Sequence, residues 1–272
     1  MSKEYLNLWR RFGVGLGGAS VFVGLVVLVG GYQFSAEPMN TNGEVVFEDN
    51  FERTELGPQY RQGKPDLGHP QNEWRIEDFC AIRNKDAGPK RTRRAFKEMV
   101  SFGLTLEFDL WCNRRLVGEN IHNAALWLNK ELPERLRVEF TAEALSKDGD
   151  VKTEIFGDGR THQSGYIVIH GGWSNQLNII ARQDEHGEDR KEDGRCRTRD
   201  RKRRCVVQNR IYKWALERTD GTLKWYLDGE LFLTYPDSSP VFGRHFAFNN
   251  WKAKVAFDDL KIFAVPETSR SN

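Results

Sequence analysis

Seven of the twelve residues from Gly194 to Cys205 are Arg or Lys, and Asp200 is the one acid among them. In an extended chain Arg195, Arg197, Arg199 and Arg201 fall on one face. That is a row of planar guanidinium forks suited to phosphate or carboxylate, with Lys202, Arg203 and Arg204 adding charge beside it. The plain alternative is a solvated hairpin, because Asp184, Glu185, Glu188, Asp189, Glu192 and Asp193 lie just upstream and can neutralise the bases. Cys196 and Cys205 bracket the finger. With Cys80 and Cys112 they make an even set of four. In an exported domain such a set suggests disulfides, with three pairings open to it. Cys196–Cys205 would close the finger and hold its like charges together, and Cys80–Cys112 would join two predicted strands. No Cys or His spacing fits a zinc site.

A second group is Gly171-Gly172-Trp173-Ser174-Asn175, with His170 before it and Arg182 on the adjoining strand. An exposed ring flanked by amide and guanidinium groups is how a protein stacks on a sugar face and bonds its hydroxyls. The two glycines allow a tight turn that presents Trp173 and Asn175. The alternative is that Trp173 plugs the end of a core and Asn175 ties the turn through its side chain. His170-Gly171-Gly172-Trp173 also has the look of a lipase oxyanion loop. No G-x-S-x-G nucleophile elbow accompanies it, so that reading is rejected.

The elements that must position these groups are strands. Tyr212, Trp214 and Leu216 alternate with other residues, Asp220-Gly221 follows, and Leu223, Trp225 and Leu227 alternate again. Asp228-Gly229 then leads to Leu231 and Leu233. Asp-Gly between alternating runs is a strong hairpin signal, and two in succession predict a three-strand meander. Further strands are predicted at Val45–Glu48, Trp74–Glu77, Phe79–Arg83, Leu104–Trp111, Ala124–Asn129, Arg137–Ala142, Gly165–His170, Leu177–Arg182 and His245–Asn249. In the last strand Val255 and Phe257 have one parity, and Leu260 and Ile262 the other. A bulge at Asp258–Asp259 brings both pairs to one face. The pattern is that of an all-β antiparallel sandwich over 44–265. Trp111, Trp127, Trp214 and Trp225 lie within alternating runs and are expected in its core.

Ahead of the sandwich, Arg11 is the last charge before Glu37. Residues 12–34 carry no charge and, Gln33 apart, are apolar or small, long enough to cross ~30 Å of hydrocarbon as a helix. Lys3, Arg10 and Arg11 in the short segment 1–11 put the N-terminus in the cytoplasm and the rest outside. The alternative is a cleaved signal with its cut near Val29 and Gly31, which would release the domain. Gly13-x-x-x-Gly17 and Ser20-x-x-x-Gly24 give the helix a small-residue face on which a second copy can pack. Residues 35–43 read as a linker and 266–272 as a tail. Of 41 bases and 39 acids, residues 1–36 hold three and one, which leaves the remainder neutral. A global polyanion binder is therefore excluded, and an exported chain is not a nucleic-acid partner. Aromatic residues at 12% exclude a disordered chain.

Three stretches together resemble the concanavalin A-like superfamily, in particular bacterial laminin-G-like and keto-disaccharide-hydrolase-like domains. They are VVFEDNFERTELGPQY, GYIVIHGGWSNQLNIIARQDEHG, and DGTLKWYLDGELFLTY continuing through PVFGRHFAFNNWKAKVAFDDLKIF. The resemblance covers about residues 44–264. It implies a jelly-roll sandwich that binds glycans, binds proteins or hydrolyses glycosidic bonds. Laminarinase-type members carry E-x-D-x-E on one strand. Here Glu107-Phe108-Asp109-Leu110-Trp111 puts Trp111 in place of the last carboxylate, so the pair of carboxyls that retaining hydrolysis uses is incomplete. In such domains the first and last strands often pair. That would bring Asp49 near Asp258, where carboxylate oxygens could hold calcium. Otherwise each carboxylate simply accepts backbone N–H bonds.

The sequence thus points to a membrane-anchored exocytoplasmic module that binds glycan or another anionic envelope partner without catalysis. A hydrolase with an atypical site and a structural interaction domain are the alternatives. A topology reporter fused after Asn272 is expected to be active only outside the cytoplasm. Cytoplasmic activity would overturn the location and the expectation of disulfides together.

Overall fold

Alternating strands joined by tight turns build two antiparallel sheets. The computed structural model describes residues 43–84, 108–196, 204–219 and 221–267, and the side chains at 81–84 and 108–111 are not among those described. The strands in chain order are β1 (Glu44–Asp49), β2 (Tyr60–Gln62), β3 (Arg75–Asn84), β4 (Phe108–Glu119), β5 (Leu126–Leu128), β6 (Leu136–Ala144), β7 (Val151–Gly157), β8 (Tyr166–Gly171), β9 (Leu177–Arg182), β10 (Arg190–Asp193), β11 (Ile211–Thr219), β12 (Thr222–Leu227), β13 (Glu230–Pro236), β14 (His245–Asn249) and β15 (Lys254–Ala264). One sheet runs β13-β12-β11-β6-β15-β4-β3, with β1 added against β15. The other runs β10-β9-β8-β7-β14-β5-β2.

The expected meander is present as β11, β12 and β13. Its second turn has Asp228 at φ 53° and Gly229 at φ 89°, two consecutive positive values that match the right-handed twist of the strands. The expected bulge is present too. The β15–β6 register shifts between Asp258 and Lys261, and Asp259 sits at φ 53°. Because of that extra residue Val255, Phe257, Leu260 and Ile262 are all fully buried. The bulge is also where the partner of β15 changes. Lys254–Phe257 pair with β4, and Leu260–Ala264 pair with β1.

Three corrections follow. Trp74–Glu77 and Phe79–Arg83 lie on one continuous strand, β3, rather than two. Strand β4 extends past Trp111 to Glu119, where Leu116 and Val117 are fully buried. Strands β2, β7 and β10 together carry a charge at half of their positions, so apolar alternation does not mark them. Residues 12–34, read as a spanning helix, lie outside the described residues. Among the described ones no helix is long and apolar enough to cross a membrane.

Between the sheets lies an aromatic core. Trp214 and Trp225 are 4.6 Å apart, and Phe140 contacts Trp214, Phe246, Phe248 and Phe257. Trp127, Trp214 and Trp225 are buried as expected. Trp127 sits on the outer face of its sheet with Ala125 and Ala247 rather than between the sheets. Cys80 is bonded to Cys112 across the β3–β4 pair, and Cys196 to Cys205.

On β15, Asp258 accepts from Asn113 Nδ2 at 2.8 Å, and Arg115 Nε lies 3.5 Å from it. Burial, reinforced by Asp259, pushes its carboxyl up from 3.8 to about 7. A carboxyl raised in the fold binds its proton more tightly there than in the unfolded chain. Its contribution is therefore largest below the unfolded value and is lost as pH climbs between 3.8 and about 7. Asp258→Asn is expected to flatten that part of the stability profile, read by urea unfolding across the window.

Candidate functional site

The site begins with a lysine where a sheet residue would be apolar. On β7, Val151 and Ile155 face the core, so Lys152 and Glu154 face outward. Asp150, one residue before the strand, has the same parity. Next to them the outer faces of β8 and β9 carry Ile167, Ile169, Ile179 and Ala181, all buried in a second apolar cluster. Lys152 is 1% exposed and Glu154 0%. The β9–β10 loop folds back over this face and brings Glu185, 6% exposed, onto the lysine.

Lys152 Nζ lies 2.8 Å from Glu185 Oε2 and donates to Asn123 Oδ1 at 2.8 Å. Glu154 is enclosed separately. It meets His162 Nδ1 at 2.7 Å and accepts from the Gln163 N–H at 2.9 Å and from Asn249 Nδ2 at 2.8 Å. His162 Nε2 points toward Glu185 Oε2 at 4.0 Å. Asp150 Oδ2 accepts the Trp251 N–H.

The charges pull these groups apart. Burial alone would raise Glu185, but Lys152 and His162 outweigh it and hold the carboxyl below its ordinary value. Burial would likewise lower Lys152, but Asp150 and Glu185 keep it above the ordinary ammonium value. Asp150 is raised, because its burial and the negative Glu185 outweigh what Lys152 gives back.

Above this floor opens a cleft of about 550 Å³. Trp173 and Trp251 supply its aromatic lining, and Asp66, Asp148 and Lys252 its charged rim. Trp173 is 39% exposed, one of few large apolar side chains in that condition. Its ring meets His186 edge-on at 5.5 Å, and the Arg190 guanidinium lies 5.2 Å over it. Trp251 is held by two stacked imidazoles, His69 and His122, whose edges it meets at 4.7 and 5.1 Å. Positive φ values crowd this end of the sandwich: His122 51°, Asn123 66°, Asp150 53° and Trp173 51°. Strained backbone of this kind collects at binding and catalytic sites.

Of the four residues read from the sequence as a binding group, Trp173 alone lines the cleft. Asn175 is 1% exposed and ties the turn, with Oδ1 accepting from the Val206 N–H at 2.7 Å and Nδ2 donating to Val206 O at 2.8 Å. His170 faces the inner core, packed by Tyr212 and Trp225, and burial pulls it down to about 4, so it is a neutral core ring. Arg182 sits at the far end of β9, bonded to Ser239 O at 2.9 Å and 3.2 Å from Asp237. The parity of a strand separates His170 from Trp173, and five residues of strand separate Arg182 from the turn.

The proposed calcium ligands are engaged otherwise. Asp49 takes both Arg53 guanidinium nitrogens, the Phe51 N–H and the Tyr60 hydroxyl, and Asp258 faces Asn113 and Arg115. Strands β1 and β15 do pair, with Asp49 opposite Leu260. Neither carboxylate offers a free set of oxygens, and no group of three metal-ligating side chains occurs among the described residues. In the finger, Arg195 Nε bonds Asp193 at 2.6 Å, and Arg204 Nη1 donates to Ser174 O at 2.7 Å. Arg197, Arg199, Arg201 and Arg203 lie outside the described residues, as do Glu107 and the side chains of Asp109 and Trp111. The sequence signals that were passed over are Asp150-x-Lys152-x-Glu154, an alternation of charges inside GDVKTEIFG, and Trp251 in FNNW.

No family model matches the chain, and no curated protein matches it in sequence. Among solved structures it is similar to domain 4 of AbnA, a GH43 extracellular arabinanase from Geobacillus stearothermophilus, in complex with arabinotriose. That match has 12% identity, spans 83% of this chain and 95% of that one, and has a TM-score of 0.47. It is also similar to laminarinase from Flavobacterium sp. UMI-01, at 11% identity over 81% of this chain and 100% of that one, with a TM-score of 0.46. A third is the carbohydrate-binding module CBM66 from Bacillus subtilis, at 13% identity over 56% of this chain and 87% of that one, with a TM-score of 0.40.

Removing one member of a buried ion pair strands the other in low dielectric, at a cost of about 3–5 kcal/mol. Lys152→Met should therefore destabilise the chain by about that amount. Denaturant unfolding measures it, and a loss under about 1 kcal/mol would mean that Glu185 is well solvated.

Proposed function

We propose that the chain is a non-catalytic glycan-binding β-sandwich whose saccharide lies in the cleft against Trp173 and Trp251. The observation that carries this reading is an exposed indole held on a strained turn in the same cleft as a second indole, over a floor of polar side chains. Indole faces stack on the C–H-rich faces of sugar rings, and carboxylate and amide groups around them accept and donate to hydroxyls.

The charge of the cleft narrows the ligand. Asp66, Asp148, Asp150 and Glu185 stand against Lys152 and Lys252. Four acids facing two ammonium groups favour a neutral or amine-bearing saccharide over a uronate or sulfated one. An anionic partner is better matched by the seven bases between Gly194 and Cys205.

The carboxylates support binding over bond cleavage. Glu154 is sealed from the cleft, Glu185 is neutralised by Lys152, and Lys152 stands between Asp150 and Glu154 on the strand. The hydrolase reading keeps one observation in its favour. Asp150 is raised and Glu185 lowered in the same cleft, the separation of acid from base that glycoside hydrolysis uses. The anchor belongs to this proposal as well: residues 12–34 as a spanning helix would hold the sandwich, with its disulfides, on the outer side of a membrane.

The test is calorimetric titration of the full chain with neutral, amine-bearing and uronate oligosaccharides, run beside a reducing-end assay on the same panel. Trp173→Ala and Trp251→Ala are each expected to weaken binding about tenfold, about 1.4 kcal/mol, with the unfolding midpoint unchanged. New reducing ends that disappear in Asp150→Asn would establish the hydrolase instead.

A further inference from the structure

Trp173 reaches the cleft from a backbone that its own residue types disfavour. Trp173, Ser174 and Asn175 follow one another at φ 51°, 60° and 65°. Left-handed values are disfavoured for Trp and Ser and tolerated better by Asn, and a run of three is held only if its surroundings hold it. Within the turn there is one backbone bond, from the Gln176 N–H to Gly172 O at 2.9 Å. The remaining support comes from elsewhere in the chain.

Most of that support is the closed base of the basic finger. Arg204 Nη1 donates to Ser174 O at 2.7 Å. The Cys205 N–H donates to Asn175 O at 3.2 Å. Val206 exchanges two bonds with the Asn175 side chain, at 2.7 and 2.8 Å. From the other arm, Cys196 Sγ lies 3.7 Å from Gln176 O and 3.6 Å from Asn178 Nδ2. One half-cystine therefore rests on each side of the turn, and the bond between them joins the two arms. Neither cysteine lines the cleft.

We propose that the Cys196–Cys205 disulfide and Asn175 are positioning elements for the ligand site, clamping the turn that presents Trp173, so that the redox state of a bond outside the cleft sets affinity inside it. This rests on the reading of the cleft as a glycan site. A dithiol transfers two electrons and two protons to the bridge, leaving two thiols and its own disulfide. The open loop regains the freedom that closure removed. Its arms then separate under the mutual repulsion of the seven bases between Gly194 and Cys205. Residues 204–206 leave the turn, and Trp173–Asn175 relax from their left-handed values.

The experiment uses the full chain labelled with fluorotryptophan, with the Trp173 resonance assigned by its loss in Trp173→Phe, and chitosan and neutral oligosaccharides as ligands. Treatment with a dithiol, and independently the double variant Cys196→Ser with Cys205→Ser, should shift and broaden the Trp173 fluorine signal and weaken glycan binding about tenfold. The Trp225 signal should stay in place, showing that the core is intact. Cys80→Ser with Cys112→Ser should change neither readout. Asn175→Gly tolerates the left-handed backbone but loses the side-chain bonds, and is expected to act like the open bridge. An unmoved Trp173 resonance after bridge opening overturns the proposal, and so does a moved resonance with unchanged affinity. A wild-type chain that binds none of these glycans overturns the binding reading and the affinity half with it, while the Trp173 resonance still decides the positioning half.

Discussion

An ammonium group 1% exposed on the outer face of a sheet cannot stand alone, and much of this end of the molecule follows from that. Lys152 needs a carboxylate and a second acceptor in a place that strand geometry alone would leave to solvent. Glu185 supplies the first and Asn123 the second. For Glu185 to arrive, the β9–β10 loop must lie back across β8 and β9, which is also what buries Ile167, Ile169, Ile179 and Ala181. The ion pair and the apolar roof are one event. The charge needs a dry partner, and the isoleucines keep the pair dry. For Asn123 to arrive, the β4–β5 connection must turn through positive φ at Asn120, His122 and Asn123. The same connection sets His122 against the Trp251 ring. These two returning segments supply Asn123, Glu185 and His186 to the cleft, and the turns at Trp173 and Trp251 supply its rings.

Strand pattern and turn chemistry made the frame legible. The Asp-Gly meander, the bulge at Asp258–Asp259 and the Cys196–Cys205 pairing could be read from residue types, because each depends on neighbours close in sequence or on strict alternation, and Cys80–Cys112 then followed from an even set of four. The site was less legible for a physical reason. In β7 the outward residues are charged because they pair across space, with Glu185 from a distant loop and with His162 from the β7–β8 turn. A search for apolar alternation scores such a strand as weak. Charge alternating with Val, Thr and Ile was itself the signal, an outer face that is charged and yet buried. His170 and Trp173 show the complementary error. They are three residues apart at the same hairpin, yet strand parity turns one into the core while the left-handed turn lifts the other out of it.

The basic finger has changed its meaning. Read as a sequence, it was a row of cations looking for an anion. In the structure its ends are already in use. Arg195 is taken by Asp193, and Arg204 bonds the carbonyl of Ser174. The bridge then does more than hold like charges together, because Cys205 and Val206 carry hydrogen bonds that the turn at Trp173–Asn175 requires. The acids of the cleft and the described ends of the finger, Arg195 and Arg204, meet at three residues of strained backbone.

That arrangement also bears on why the site is built on strain. A glycine-rich turn would reach the same φ values without cost, but it would hold no ring in place once made. Ser174 and Asn175 are held at those values by bonds to Arg204, Cys205, Val206 and Lys147, so the residue before them, Trp173, leaves a fixed backbone. Stacking rewards a ring whose freedom has been removed before the ligand arrives, since each immobilised side chain otherwise costs about 0.5–1.5 kcal/mol on binding. The strain is met by hydrogen bonds made during folding, and the ligand encounters a wall that is already set.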